Sequence, residues 1–141
     1  MTMKEKPYLL NLTPRGDERG WLVAVEGLKE IPFEIKRIFY IYGTKGDTIR
    51  GQHANRHSEF VLINVCGECK VRTDNGCGEK DIFWLNKPHE GLYIPRLCWK
   101  DMYDFSEDSI LLCLASEGYD SAEYIRDYEA YCTEVKGIHH G

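Results

Sequence analysis

Short runs rich in β-branched and aromatic residues, broken every few positions by Gly, Asn, Asp or Pro, recur along this chain and point to an all-β fold. They are Trp21 to Val25, Ile35 to Tyr42, Phe60 to Val65, Lys70 to Arg72, Ile82 to Leu85, Leu92 to Ile94 and Ile110 to Ala115. The breaks have identifiable turn chemistry. Pro14-Arg15-Gly16-Asp17, Gly43-Thr44-Lys45-Gly46-Asp47 and Asp74-Asn75-Gly76 each separate two runs, and an Asn-Gly pair readily supplies the positive φ of a tight hairpin. From Glu59 to Val65 both alternating faces are largely apolar, as a strand buried on two sides requires. Only Ser121 to Val135 reads as a helix, with Asp120 as cap, Glu123 three residues later, and Ile125, Tyr128 and Cys132 on one face. The pattern predicts a single domain over 1–141, a small β-barrel or jelly roll with a C-terminal helix at about 121–135.

At 141 residues a second core has no room. A net charge of −5, with basic and acidic residues interleaved, argues against a nucleic-acid partner. The longest apolar runs, such as Ile110 to Ala115, fall far short of the roughly 20 residues of a membrane span. The opening residues through Pro7 lack the apolar stretch of a signal peptide, so a cytoplasmic protein is expected. The six cysteines then read as free thiols. Cys66-Gly67-Glu68-Cys69 has dithiol spacing but lies between strands, where Gly67 serves as a turn residue. The terminal His139-His140-Gly141 is assigned no function.

The informative segment is Arg50-Gly51-Gln52-His53-Ala54-Asn55-Arg56-His57-Ser58-Glu59. If extended, it puts His53 and Asn55 on one face, joined by His57 only if the strand runs past Arg56. A histidine aimed into a barrel mouth suits general-base chemistry near neutral pH; the alternative is a histidine satisfied by hydrogen bonds in a polar pocket. His-x-Asn followed by Glu59 is close to a barrel metal site, yet asparagine is a poor ligand for zinc, iron or manganese, and no metal or other cofactor is expected. In Ile38-Phe39-Tyr40-Ile41-Tyr42, Tyr40 and Tyr42 share a face, so a hydroxyl must find a partner or a cavity. Arg37 and Arg50 are candidates to hold a phosphate, which a guanidinium fork matches.

Taken in order, Gly20-Trp21-Leu22-Val23-Ala24-Val25-Glu26, Ile31-Pro32-Phe33, Ile35-Lys36-Arg37-Ile38-Phe39-Tyr40, Arg50-Gly51-Gln52-His53-Ala54-Asn55, Gly91-Leu92-Tyr93-Ile94-Pro95, Trp99-Lys100-Asp101-Met102-Tyr103-Asp104-Phe105-Ser106 and Tyr124-Ile125-Arg126-Asp127-Tyr128 resemble the sugar-nucleotide 3,4-ketoisomerases. These are cupin-fold enzymes acting on dTDP-4-keto-6-deoxyglucose, and the resemblance runs from about Leu12 to Tyr131. It implies a metal-independent cupin, a homodimer, and transfer of a keto group from C4 to C3 of a nucleoside-diphosphate sugar on the way to 3-amino sugars of surface polysaccharide. On that resemblance His53 is the base and Tyr40 a relay between the two oxygens. Arg37 and Arg50 fall at positions that match the family's motifs and are expected to bind phosphate or shape the pocket, and Trp99 is expected to bind substrate. Asn55 stands where the family carries a second histidine; it can hydrogen-bond an enediol oxygen but cannot carry a proton. That departure leaves two alternatives beside the isomerase: a non-catalytic sugar-nucleotide-binding cupin, and an epimerase on a related keto sugar.

Overall fold

The computed structural model describes residues 5–140. In chain order the strands are β1 (Tyr8–Asn11), β2 (Arg15–Asp17), β3 (Gly20–Leu22), β4 (Arg37–Tyr42), β5 (Arg50–Asn55) and β6 (Phe60–Cys66). They continue as β7 (Cys69–Asp74), β8 (Lys80–Leu85), β9 (Glu90–Ile94), β10 (Trp99–Tyr103), β11 (Ile110–Ala115) and β12 (Tyr124–Ile125), and the chain ends in helix α1 (Tyr128–His140). Two five-stranded antiparallel sheets form, ordered β1-β9-β6-β11-β4 and β12-β5-β10-β7-β8, with β2 and β3 as a separate hairpin. The sheets do not close into a barrel, so the fold is the jelly-roll form of the expected architecture.

Three apolar clusters hold these layers. Between the sheets, Phe60, Leu62, Leu92, Ile94, Leu111 and Cys113 of the first meet Cys69, Val71, Leu85 and Met102 of the second. On the outer face of the first sheet Val61, Ile63, Tyr93 and Leu114 are covered by Leu12, Ile31 and Phe33. This is why β6 is apolar on both faces. On the outer face of the second sheet Ala54, Trp99 and Ile125 pack beneath Tyr131 and Val135 of α1.

Two sequence expectations shift. Arg15–Asp17 is strand rather than turn; the chain reverses at Glu18-Arg19, where the Asp17 carboxylate accepts from the Arg19 amide at 2.9 Å. The helix expected at 121–135 begins later. Ser121–Glu123 is a single 3-10 turn, capped by Asp120 accepting from the Ala122 amide at 3.0 Å, and the chain then enters β12. Glu123 does not complete a capping box. Its carboxylate accepts instead from the amides of His57 and Ser58, each at 2.8 Å, and from the Ser58 hydroxyl, tying the turn to the corner after β5. Asp127 caps α1 in its place, accepting from the Ala130 amide at 2.9 Å.

Candidate active site

The inner face of β5 is set by a bulge. Gly51 and Gln52 both have positive φ, 82° and 56°, and the register against β10 slips between Lys100 and Asp101. His53 and Asn55 then share the face turned toward the first sheet, while Ala54 faces α1. The Gly51 carbonyl lies 2.9 Å from His53 Nδ1. A carbonyl can only accept, so Nδ1 carries the proton and Nε2 keeps a bare lone pair, the form a general base needs. Burial, and after it the Lys100 ammonium, push the imidazole down to about 4, so it is neutral across the physiological range.

Lys100 lies in register with His53 on the neighbouring strand. It is buried, donates to Asn55 Oδ1 at 3.2 Å, and rests 4.6 Å from the centre of the Phe60 ring. Burial lowers the ammonium to about 8. Glu123 closes the floor. Burial opposes its charge, yet the Ser58 hydroxyl and the His57 and Ser58 amides outweigh that and hold the carboxyl below its ordinary range, with the Asn55 amide adding to them.

A wall of rings and guanidinium groups leads outward from His53. Its ring centre stands 4.8 Å from that of Tyr124, which lies 5.9 Å from Tyr119. Arg126 covers the Tyr124 ring at 4.7 Å, and Arg37 lies between the rings of Tyr119 and Phe39, at 5.1 and 4.4 Å. Arg50 stands at the exposed start of β5, opposite Met102. Burial pushes the Cys113 thiol between the sheets up to about 12, against the pull of Lys100, Arg37 and Arg50, whose charges all act on that part of the intersheet space. Guanidinium groups of this kind suit a diphosphate.

Two of the expected site residues lie elsewhere. Tyr40 is 62% exposed on the outer face of β4, stacked on Tyr42, because strand alternation gives the inward positions to Arg37, Phe39 and Ile41. Trp99 is buried under α1 against Tyr128 and Tyr131, and the inward place beside it belongs to Lys100. His57 is exposed and only its amide serves the site. Lys100, Glu123, Tyr124 and Arg126 were not read as site residues from the sequence. Period-two alternation through Trp99-Lys100-Asp101-Met102 would have found Lys100, whereas assigning Tyr124 and Arg126 to a helix hid them.

Glu59, which the metal pattern needed, points to the far side and accepts from the Tyr93 hydroxyl at 2.6 Å. Among the described residues no three His, Cys, Asp or Glu side chains gather as a metal site. A cleft of about 470 Å³ is lined by Glu5, Lys6, Glu59 and Tyr93, but Lys6 is paired with Glu79 and the two carboxylates repel a phosphate.

Residues 5–136 match the family model FdtA, described as WxcM-like, C-terminal. A TDP-4-oxo-6-deoxy-α-D-glucose-3,4-oxoisomerase of Aneurinibacillus thermoaerophilus is 45% identical over 115 residues, 82% of each chain. A 3,4-ketoisomerase of Helicobacter canadensis superposes with a TM-score of 0.90 at 44% identity, covering 94% of this chain and 99% of that one. A histidine-to-asparagine variant of the 3,4-ketoisomerase QdtA from Thermoanaerobacterium thermosaccharolyticum, in complex with TDP-4-keto-6-deoxyglucose, superposes with a TM-score of 0.91 at 40% identity over 96% and 97% of the two chains. Likeness of this extent, in sequence and in backbone alike, places the chain in the FdtA family, among the cupin-like sugar 3,4-ketoisomerases.

Proposed function

We propose that this chain is a metal-independent 3,4-ketoisomerase of a TDP-linked 4-keto-6-deoxy sugar. The observation that carries this reading is the neutral His53, its Nδ1–H held by the Gly51 carbonyl and its Nε2 left as the basic nitrogen, under the charges of Lys100 and Arg126. Nε2 takes the C3 proton of the sugar while the electron pair moves into the C3–C4 bond and the C4 carbonyl becomes an enediolate oxygen. Asn55, its amide turned to the Glu123 carboxylate and closed off from solvent, gives no hydrogen bond to that developing charge. The O3 proton passes to O4, His53 returns its proton to C4, and the C3 carbonyl forms. Atoms and electrons balance within the sugar, so no redox cofactor is required. Arg37, Arg50 and Arg126 hold the diphosphate, and Tyr124, beside His53, takes the relay position expected of Tyr40. Trp99 supports β10 from behind rather than touching substrate.

The 3-keto product suits transamination at C3, in deoxyamino-sugar synthesis for surface polysaccharide or lipopolysaccharide in the cytoplasm. Among the described residues no helix is long and apolar enough to cross a membrane. The working form is a homodimer: Trp21 and Leu22 of the hairpin and Ile38, Tyr40 and Tyr42 of β4 expose large apolar and aromatic side chains for a second copy to cover. The test is proton NMR of TDP-4-keto-6-deoxyglucose with the protein in deuterated water, beside His53→Asn. A 3-keto product carrying deuterium at C4, not made by the variant, supports the reading; unchanged turnover in the variant overturns the role of His53. Asn55 in place of a histidine favours a second reading, a non-catalytic binder, which predicts saturable TDP-sugar binding with no exchange at C3. Retention of the keto group at C4 with an inverted neighbouring centre would identify an epimerase.

A further inference from the structure

The mechanism gives Glu123 no part, yet its side chain is buried, at 4% exposure, in the turn that leads into Tyr124 and Arg126. Donors converge on the carboxylate from β5 and the corner after it: the His57 and Ser58 amides at 2.8 Å each, the Ser58 hydroxyl, and the Asn55 amide, which is turned to it. A carboxylate only accepts and has about four lone-pair sites, so it serves all of them, whereas a side-chain amide in its place would set donor against donor. The Glu123 carbonyl also accepts from the Arg56 amide at 2.9 Å, so main chain and side chain both bind this residue to the corner. Asn55 is held between two charged groups, its Oδ1 accepting from Lys100 Nζ at 3.2 Å and its Nδ2 shut off from solvent. The contact expected for an enediol oxygen is therefore part of this anchor.

What the anchor holds is the next residue. β12 is only Tyr124 and Ile125, paired with Asn55 and Ala54, and a pairing of that length is marginal by itself. Ile125 packs under α1 with Ala54 and Trp99, so alternation gives Tyr124 the other face, where its ring centre stands 4.8 Å from that of His53. Arg126 covers the same ring at 4.7 Å. We propose that Glu123 is a positioning residue of this site: by docking β12 against the corner after β5 it sets the Tyr124 ring beside His53. The proposal rests on the ketoisomerase reading for the relay that Tyr124 performs, and on hydrogen-bond geometry for the docking.

The experiment compares wild type with Glu123→Gln, Tyr124→Phe, the double variant, and Tyr131→Phe as a purely structural loss behind β10. Glu123→Gln keeps the shape of the side chain but turns an amino group on the converging donors, while Arg56 Nη1 still holds the Ala122 carbonyl at 3.0 Å and keeps the turn on the protein. In the ligand-free proteins, ring-to-ring NOEs between His53 and Tyr124 persist in Tyr131→Phe and are lost in Glu123→Gln. With TDP-4-keto-6-deoxyglucose, Glu123→Gln lowers kcat by about 10²-fold, the effect of moving a reacting group by ~1 Å. KM stays within about fivefold, because Arg37 and Arg50 sit on other strands. In the Tyr124→Phe background the same substitution costs less than about threefold, the relay it positions being already gone. Should Glu123→Gln not fold, Ser58→Ala removes one donor and leaves the carboxylate; it weakens the same NOEs and lowers kcat by about fivefold. Full NOEs in a folded Glu123→Gln or in Ser58→Ala, a kcat loss no larger than that of Tyr131→Phe, or an undiminished loss in the Tyr124→Phe background overturns the proposal. Absence of turnover by wild type, with the NOEs still lost in Glu123→Gln, removes the isomerase reading instead and leaves the docking by Glu123 standing.

Discussion

Replacing Gly51 with alanine tests how the base is prepared. Gly51 sits at φ 82°, where an L side chain costs about 1–2 kcal/mol. A Cβ there would stand 2.9 Å from the Lys100 carbonyl oxygen and 3.2 Å from Met102 Cε. The carbonyl is backbone in a paired strand and yields little, so overpacking adds about 1–2 kcal/mol. The sum is about 3 kcal/mol, a fall of about 2 M in the urea midpoint for a chain with a slope near 1.5 kcal/mol/M. Moving Gly51 also moves its carbonyl off His53 Nδ1, so 15N spectra should show the Nε2–H tautomer appearing and kcat should drop with it. Gly46, with nothing within 4 Å of a Cβ and no left-handed φ, is the control, and its alanine variant should lie within about 0.5 kcal/mol of wild type. A Gly51→Ala protein as stable as that control, with His53 still protonated on Nδ1, would refute the reasoning.

Three further outcomes follow from the same geometry. His53 is held down to about 4 from 6.5, so its contribution to stability is full above pH 6.5 and is lost as pH falls toward 4, up to ~3 kcal/mol; urea midpoints of wild type should fall more steeply over that window than those of His53→Asn. The Tyr131 hydroxyl accepts from the Trp99 amide at 3.3 Å and lies 2.8 and 2.9 Å from the Leu97 and Asp74 carbonyls, so Tyr131→Phe should cost about 1–3 kcal/mol by denaturation. Tyr40→Phe should leave kcat within about twofold, because the hydroxyl is on the outer face of its sheet; a hundredfold loss would return Tyr40 to the relay.

The strands were legible where alternation or a doubly apolar run was strong, as in β4, β6 and β11. The short ones were not: β1, β2 and β12 carry too few residues for a period to show, and β12 exists because β5 offers it an edge. His53 and Asn55 could be put on one face from period two alone. Tyr40 and Trp99 were misplaced because a motif marks a position in the chain, whereas the face is decided by the register of β4 and β10 against their neighbours. Glu123 looked like a helix cap from its spacing, and only the corner after β5 shows what its carboxylate holds.

The bulge at Gly51 and Gln52 has a meaning for how such a site can change over time. The orientation and tautomer of the base come from a main-chain carbonyl, which no substitution at another position removes outright. Side chains around His53 can therefore change while the orientation and tautomer of its ring are kept. Variation in this pocket can retune which sugar is accepted and where a proton lands without first rebuilding the group that starts the chemistry.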